Sequence, residues 1–182
     1  MEPWKIKHRQ TVVQDQWVTL YADECELPNG QTIAPYYVMA EKEWVHVVAV
    51  DADGRILLVR QYRHAAGMVC SEFPSGIAEE GEAMVEAAKR ELREETGYQA
   101  EEWKEIATFH ANPARQTNRV HCFLARGLKQ VGAPSLDASE EITFAFAAPE
   151  EIVRQIGTGE FAQGLHIATY FLAAEVLKQL LA

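Results

Sequence analysis

The order of apolar and polar positions predicts a chain that begins with β-strands. Residues 17–21 alternate in a β-prone pattern, and Pro28-Asn29-Gly30 follows, where Asn-Gly favours a tight hairpin turn. We therefore expect residues 1–40 to form a small β-rich extension. Two more β-prone runs, 44–50 and 56–60, are joined by Asp-Ala-Asp-Gly, which is a second hairpin signal.

A helix is predicted over residues 82–96. The preceding residues 65–81 are rich in Gly and Pro and predict a loop, whereas good helix formers dominate after them. Gly97 stands where a helix C-cap is expected. Apolar residues recur along this segment at helical spacing, which predicts a buried stripe. They are Val85, Ala88 and Leu92.

The second half of the chain mixes further strands with helices. Strand-like segments cover 106–110, 119–125 and 142–147, Pro149 opens a short helix, and 167–181 predicts a final apolar helix. This irregular order indicates an α/β fold, a mixed α/β sandwich and not a doubly wound sheet.

Length and charge limit the function classes. With 182 residues, 48% of them hydrophobic, the chain fits one catalytic domain, 41–182, after the 1–40 extension. A formal net charge of -10 disfavours nucleic-acid binding, because phosphate contacts need clustered Lys and Arg. No leader or membrane-spanning run is evident, so we expect a cytoplasmic protein without a membrane partner.

The thiols and hydroxyls that could act as nucleophiles have structural interpretations. Cys25, Cys70 and Cys122 are far apart and lack zinc-ligand spacing, so reduced, mostly buried thiols are expected. Ser71 and Ser75 are likewise interpreted as structural residues.

Three carboxylates on the central helix are the strongest sign of chemistry. Glu91, Glu94 and Glu95 lie at i, i+3 and i+4 and therefore share one face next to the apolar stripe. Such crowding is unfavourable, and a hard divalent cation would compensate it. The alternative is a solvated acidic face that nearby basic residues balance. Those residues are Lys89, Arg90 and Arg93.

The carboxylates belong to a longer motif of fixed spacing, Gly-x5-Glu-x7-Arg-Glu-hydrophobic-x-Glu-Glu-x-Gly. Its fixed positions are Gly76, Glu82, Arg90, Glu91, Leu92, Glu94, Glu95 and Gly97. This stretch resembles the Nudix box at every fixed position, and the order of strands and helices agrees with the family's α/β/α sandwich. Tyr98 departs from the family pattern, which more often has an aliphatic residue there, and this concerns local packing only.

The resemblance implies a magnesium site, with Mn²⁺ as an alternative cation. Glu94 and Glu95 would ligate the metal, Glu91 would be a further ligand or would order the metal's water, and Gly76 would lie at the same site. Mg²⁺ would polarise a phosphoryl oxygen while activated water attacks phosphorus. No covalent nucleophile is needed.

The remaining fixed positions of the box would support these ligands. Arg90 and Glu82 would aim the carboxylates and hold the loop. Gly76 and Gly97 permit turn conformations that side chains would obstruct.

Other segments resemble the ADP-ribose pyrophosphatase branch of the family, whose substrates are nucleoside diphosphate sugars. A proline 16 residues after Gly97, here Pro113, resembles this branch. Two runs of residues also resemble it, Val59-Arg60-Gln61-Tyr62-Arg63 and Glu72-Phe73-Pro74-Ser75-Gly76. Arg63 would bind the diphosphate or the terminal sugar, because its planar fork suits phosphate oxygens. Gln61 and Pro113 are further candidates for substrate binding. By default such a proline is a turn residue and such an arginine a surface charge.

An acidic loop precedes the strand at 142–147, where this branch commonly has a catalytic base or an extra metal ligand. Glu140 and Glu141 are both candidates, and their spacing does not choose between them. A solvated acidic loop is the alternative.

The extension before residue 40 is similar to the region through which dimers of this branch exchange strands, so a homodimer is expected. Trp44, Tyr36 and Tyr37 are candidates for stacking on a base, although ordinary core or interface packing is favoured. The loop after Pro113 departs from the small residues expected of a dedicated ADP-ribose enzyme and leaves room for GDP-mannose. Its larger residues are Arg115, Asn118 and Arg119, of which Arg115 is a substrate-binding candidate.

The sequence is therefore compatible with three functions. The first is Mg²⁺-dependent hydrolysis of a nucleoside diphosphate sugar to a nucleoside monophosphate and a sugar phosphate. The second is a Nudix hydrolase of nucleoside triphosphates or dinucleoside polyphosphates, against which Pro113 and the extension count. The third is a non-catalytic ligand-binding module, which the complete set of box carboxylates disfavours.

Overall fold

The computed structural model describes residues 2–138 and 140–181, the last three by their backbone alone. The chain forms two compact units. Unit 1 contains Met1–Glu43 and His110–Arg119, and unit 2 contains Trp44–Phe109 and Val120–Ala182.

Unit 1 is built on an antiparallel sheet of three strands. Its strands β1 (Lys5–Gln14), β2 (Thr19–Glu26) and β3 (Thr32–Met39) are ordered β1-β2-β3. The predicted turn between β2 and β3 is confirmed, with Gly30 at φ 81°. The segment 110–119 runs beside β3, where the Met39 amide donates to the Arg115 carbonyl at 2.8 Å.

The connection between β1 and β2 differs from the prediction. The alternation at 17–21 predicted a strand through Trp17, yet β2 begins at Thr19 and Trp17 is 78% exposed in the preceding turn. The cause is Asp15, whose Oδ1 accepts the backbone N–H groups of Trp17 at 2.7 Å and Val18 at 2.8 Å. This side-chain turn competes with continued strand pairing.

Unit 2 contains two sheets and three helices. The strands are β4 (Trp44–Ala49), β5 (Ile56–Arg63), β6 (Met68–Glu72), β7 (Ser75–Ile77), β8 (Tyr98–His110), β9 (Arg119–Gln130) and β10 (Ile142–Ala147). One sheet has the order β7-β4-β9-β8 and the other β10-β5-β6. Strands β4 and β9 pair in parallel, whereas β4 with β7, β5 with β6 and β5 with β10 pair antiparallel. The helices are α1 (Met84–Thr96), α2 (Pro149–Thr158) and α3 (Gly164–Leu181).

Alternate residues of β4 divide the interior into two cores. Val47 packs in the core that contains Leu92 of α1, whereas Val48 packs in the core that contains Ile152 of α2 and Tyr170 of α3. Helices therefore cover both faces of the strand. This arrangement confirms the predicted α/β/α sandwich with a mixed sheet.

The predicted hairpin between β4 and β5 was wrong in one respect. The turn exists, with Gly54 at φ 77°, but the two strands belong to different sheets and meet only in an isolated bridge between Val50 and Ile56. Turn residues indicate where the chain reverses and do not determine which strand each partner joins. The loop predicted over 65–81 also contains two short strands. Strand β6 forms a hairpin with the preceding β5, whereas β7 pairs with the more distant β4.

The helical predictions were closer. Helix α1 begins two residues later than predicted and ends at the predicted cap, where Gly97 adopts φ 74° and its N–H donates to the Arg93 carbonyl at 2.8 Å. All three cysteines are free and buried, as expected. Among residues 2–138 and 140–181, no helix has the length and apolarity needed to cross a membrane.

Two histidines are buried side by side between β4 and α3. They are His46 of β4 and His166 of α3, whose rings stack at 3.9 Å between centroids. Thr169 Oγ1 lies 2.9 Å from His46 Nδ1. Burial, followed by the charge of Arg63, lowers the pKa of His46 from 6.5 to about 3. Both rings are therefore neutral at physiological pH, since burial also lowers the pKa of His166.

The neutral state of His46 predicts acid sensitivity of the fold. The unfolded histidine gains a proton near pH 6.5 and the folded one only near pH 3, so protons favour the unfolded chain between these values. We expect the free energy of unfolding to fall with decreasing pH below 6.5, with His46 contributing up to about 1.4 kcal/mol per pH unit. Urea unfolding at pH 7.5, 6.5, 5.5 and 5.0 measures it.

A histidine variant isolates this contribution. His46→Gln should weaken the pH dependence relative to the wild type, whereas His8→Gln, on exposed strand β1, should leave it unchanged. Equal slopes for wild type and His46→Gln would contradict the assignment.

Candidate active site

Three carboxylates of the box surround one arginine. The Arg90 guanidinium donates to Glu82 Oε1 at 3.0 Å, to Glu91 Oε1 at 2.8 Å and to Glu94 Oε2 at 3.1 Å. It also donates to the carbonyl of Ile77 at 3.0 Å, which ties the helix to the loop before it. Glu82 further accepts the Glu79 N–H at 2.9 Å. The box residues predicted to support the site are therefore joined in one network.

Glu95 lies deeper than the other box carboxylates. Its side chain is 5% exposed, and its Oε2 accepts the backbone N–H of Ser75 at 3.1 Å. Burial, followed by the charge of Glu91, holds the pKa of Glu95 well above its usual range. Burial also raises the pKa of Glu91, whose oxygens face Arg90 on one side. A cation would relieve this repulsion, because it would replace the missing water and offset both charges.

Gly76 leaves space for Glu91. A Cβ atom on Gly76 would overlap the Glu91 carboxylate, far inside van der Waals contact. Residue 76 pairs with Val45 of β4, so strand and helix approach each other at this point. A side chain at residue 76 would displace the Glu91 carboxylate, which is a more specific requirement than the turn flexibility suggested by the sequence.

The acidic loop before β10 places Glu140 near the box. The charge of Glu140 is among the causes that raise the pKa of both Glu91 and Glu95, whereas Glu141 contributes to neither and is exposed. The loop is fixed to the end of α1, since the Ser135 N–H donates to the Glu94 carbonyl at 2.8 Å. Of the two candidates, Glu140 is therefore the one whose charge acts on the pKa of Glu91 and Glu95.

The donor set fits a hard cation. Its oxygens come from four carboxylates, those of Glu91, Glu94, Glu95 and Glu140, which is the ligand chemistry that Mg²⁺ prefers. Within residues 2–138 and 140–181, no three His, Cys, Asp or Glu side chains already converge as a metal-ligand set. Arg90 lies among the box carboxylates instead, bound to Glu91 and Glu94.

Arg63 ends β5 close to this cluster. Its guanidinium forms an ion pair with Glu72 of β6, with Nε at 3.0 Å from Oε1 and Nη2 in contact with Oε2. Its positive charge is also among the causes acting on the pKa of Glu95. Gln61 lies two residues before it on β5, is half-buried and pairs with Ile142 of β10.

The other predicted substrate residues are more scattered. Trp44 begins β4 and is half-buried, and its indole Nε1 is a buried donor without a partner among the described residues. Pro113 and Arg115 are exposed in unit 1. In the same unit, the Tyr36 hydroxyl donates to the carbonyl of Ala114 at 2.6 Å, and Tyr37 is 44% exposed.

Glu72 has a role in the geometry that sequence reasoning missed. Its side chain is fully buried, with 0% exposure, inside a segment predicted as loop. The available signal was a carboxylate directly before the apolar Phe73, because a buried charge needs a fixed partner. The same reasoning applies to His166, which stands in a helix that otherwise reads as apolar.

A family model matches the part of the chain that contains this site. The model of the NUDIX domain matches residues 42–166, and that of the nucleoside diphosphate sugar hydrolase N-terminal domain matches residues 4–39. The chain belongs to the Nudix family. It is accordingly an enzyme, a Nudix pyrophosphatase that hydrolyses phosphoric anhydride bonds, as the box predicted.

Two bacterial relatives illustrate the range within the family. An ADP-ribose pyrophosphatase of Mycobacterium tuberculosis is 34% identical over 151 residues, which cover 82% of this chain and 72% of the relative. A methanol dehydrogenase activator of Bacillus methanolicus is 34% identical over 140 residues, 76% of this chain and 75% of the relative. The crystal structure of an ADP compounds hydrolase matches the fold with a TM-score of 0.86 at 22% identity, covering 98% of this chain and 96% of that one.

The close approach at Gly76 predicts the effect of one methyl group. Gly76→Ala should lower pyrophosphatase activity by about 100-fold, because Glu91 must move away from the other carboxylates. The free energy of unfolding should change little, because the group that must move is the end of a flexible side chain. Steady-state kinetics and urea unfolding measure the two effects.

The matched control is Gly157→Ala. Gly157 lies within α2, where a Cβ atom meets nothing within 4 Å, so this change should preserve activity and leave stability equal or higher. Full activity in Gly76→Ala would mean that Glu91 does not need its present position.

Proposed function

We propose that this Nudix enzyme hydrolyses the diphosphate bond of a nucleoside diphosphate sugar in the presence of Mg²⁺, giving a nucleoside monophosphate and a sugar phosphate. The observation that carries the proposal is the combination of Glu91, Glu95 and Glu140 in one electrostatic cluster with Arg63 close by. Carboxylates of this kind hold a divalent cation, and a guanidinium fork suits the diphosphate oxygens.

The residues have separate roles in this proposal. Glu94 and Glu95 hold the cation, and Glu91 is a further ligand or orders its water. Mg²⁺, or Mn²⁺ in its place, supplies Lewis-acid polarisation and a water of lowered pKa. Arg90 and Glu82 keep the carboxylates oriented through their ion pair at 3.0 Å.

Glu140 is the preferred base or extra ligand. It reaches Glu91 and Glu95 electrostatically, which Glu141 does not. Its own backbone N–H donates to the Asp137 carbonyl at 2.9 Å, so a turn fixes the residue that would accept the water proton. A carboxylate in this position would remove a proton from the attacking water, and a bound cation would supply stabilisation of the developing negative charge.

The substrate class is supported by three observations. The N-terminal residues 4–39 match a domain of nucleoside diphosphate sugar hydrolases, and one relative is named ADP-ribose pyrophosphatase. Arg63 supplies a fixed guanidinium near Glu95. Gln61, Trp44, Pro113 and Arg115 remain proposed substrate contacts, and the exposed Arg115 would favour an anionic or hydroxyl-rich ligand.

Product analysis by phosphorus NMR tests the proposal. Purified protein with Mg²⁺ is given ADP-ribose, GDP-mannose, UDP-glucose or a dinucleoside tetraphosphate in separate reactions. We expect nucleoside monophosphate and sugar phosphate from at least one of the sugar nucleotides. Cleavage of the tetraphosphate alone would favour the dinucleoside polyphosphate alternative, and no cleavage at all would favour a ligand-binding module.

Glu95→Gln separates turnover from binding in the same assay. The loss of one ligand should reduce kcat at least about 100-fold, which corresponds to about 2.7 kcal/mol of transition-state stabilisation. The protein should remain folded, because a neutral amide replaces a buried carboxylate. Glu86→Gln on the exposed side of α1 is the control and should keep wild-type kcat.

A homodimer is part of the proposal. Every residue of β1 is exposed in the single chain, and large apolar side chains stand out on this part of unit 1. They are Trp4, Ile6, Val12, Val13 and Tyr37. Exposed apolar surface of this kind marks an interaction site, and a second copy of the chain would cover it.

Light scattering after size exclusion tests this interface. The wild type should have the mass of a dimer, and Ile6→Glu should shift the equilibrium toward monomer by at least about tenfold, because the new carboxylate would be buried unpaired. Val131→Glu, at an exposed valine of unit 2, is the control and should remain dimeric. A monomeric wild type would refute the interface.

A further inference from the structure

A buried chain of contacts leads from α3 to Arg63. Arg63 Nε donates to Glu72 Oε1 at 3.0 Å and to Oε2 at 3.1 Å, and its Nη2 also contacts Oε2. Glu72 has 0% exposure, so this carboxylate is held entirely inside the protein. Arg63 is the only partly exposed member, at 40% of its side-chain surface. The buried carboxylate therefore determines where the guanidinium points.

His166 completes the chain behind Glu72. The backbone N–H of Phe73 donates to His166 Nδ1 at 3.1 Å, so Nδ1 carries no proton. The ring is neutral because burial lowers its pKa well below the usual range, and its single proton is therefore on Nε2. Nε2 lies 3.8 Å from Glu72 Oε2. The imidazole thus presents an N–H dipole to the carboxylate that holds Arg63.

The imidazole cannot easily turn away. It is 1% exposed and is stacked on His46 with an angle of 13° between the ring planes. The rings of Phe73 and Phe161 pack against it from other directions at 5.9 and 6.2 Å. Its orientation is therefore set by the interior of unit 2, and no bound ligand is required.

We infer that His166 is a positioning residue that acts on Arg63 through Glu72. This inference rests on the proposed function, in which Arg63 binds the substrate diphosphate. Arg63 has two carboxylates within electrostatic reach, Glu72 and Glu95. By stabilising the position of Glu72, His166 keeps Arg63 on that side and leaves Glu95 available to a cation.

The inference predicts a change in Arg63 itself, which can be measured without substrate. The probe is the Nε–H proton of Arg63 in ¹⁵N-labelled full-length protein, assigned by its absence in Arg63→Lys. In the wild type this proton is bonded to Glu72 and should exchange slowly with water. His166→Phe keeps an aromatic ring but removes both hydrogen-bonding nitrogens, and we expect exchange to accelerate at least about tenfold.

Tyr170→Phe is the matched control. Tyr170 lies on the same helix, is 5% exposed, and would lose its hydrogen bond to the Pro149 carbonyl, so it imposes a comparable structural defect without touching Glu72. Exchange of the Arg63 proton should match the wild type in this variant. If His166→Phe does not fold, His166→Met fills the space with a flexible chain and takes its place.

Kinetics provide the second readout. We expect kcat/KM to fall about tenfold in His166→Phe and about 100-fold in Arg63→Lys. In the double variant the loss should stay near 100-fold, because both changes act on one guanidinium. A purely structural role for His166 would give additive losses of about 1000-fold.

The outcomes are distinguishable from failure of the proposed function. If the wild type cleaves no sugar nucleotide, the proposed function falls and the exchange measurement alone decides the inference. Unchanged exchange in His166→Phe, or equal acceleration in Tyr170→Phe, overturns the inference whatever the activity. Faster exchange confined to the His166 variant, with non-additive kinetics where activity exists, supports it.

Discussion

Repulsion among carboxylates at one end of the sandwich is the constraint on which the rest of the site depends. Glu91 and Glu95 are placed where water is scarce, and Glu140 approaches them from another segment. At about 4 Å and an effective dielectric constant near 20, two like charges repel by about 4 kcal/mol. Arg90 offsets part of this cost, but it faces Glu82, Glu91 and Glu94 and does not bond Glu95. This repulsion is unfavourable for the folded chain, and a bound divalent cation would offset it.

The scaffold holds this arrangement from two sides. On one side, β4 and β7 bring the backbone of Gly76 against Glu91, and the Ser75 amide holds Glu95. On the opposite face of β4, helix α3 supplies the buried His166, whose Nε2 lies 3.8 Å from Glu72 Oε2. The strand β4 lies between α1 and α3, so the site is held by packing on both faces of this strand.

Local sequence patterns predicted the parts that local physics determines. The box spacing, the helix with its Gly97 cap and the sandwich class follow from residues close together in the chain. The assignment of β4 and β5 to different sheets does not, because pairing depends on strands more than 60 residues away, such as the pairing of Val45 with His121. The sequence likewise did not show that Glu140, and not Glu141, acts on Glu91 and Glu95, or that His46 is buried. Each depends on which distant segment packs against the residue, and local spacing rules do not predict such contacts.

The cap of α1 joins two tasks in one short segment. Gly97 ends the helix so close to Gly132 that a side chain at 97 would strike its carbonyl, and the Val131 and Ser135 amides bind the Gly97 and Glu94 carbonyls at 2.9 and 2.8 Å. The last residues of α1 and its cap therefore also hold the start of the loop that contains Glu140. A change in the length of this loop would therefore have to leave residues 131–135 in place. Only the residues beyond them could vary without disturbing the end of α1.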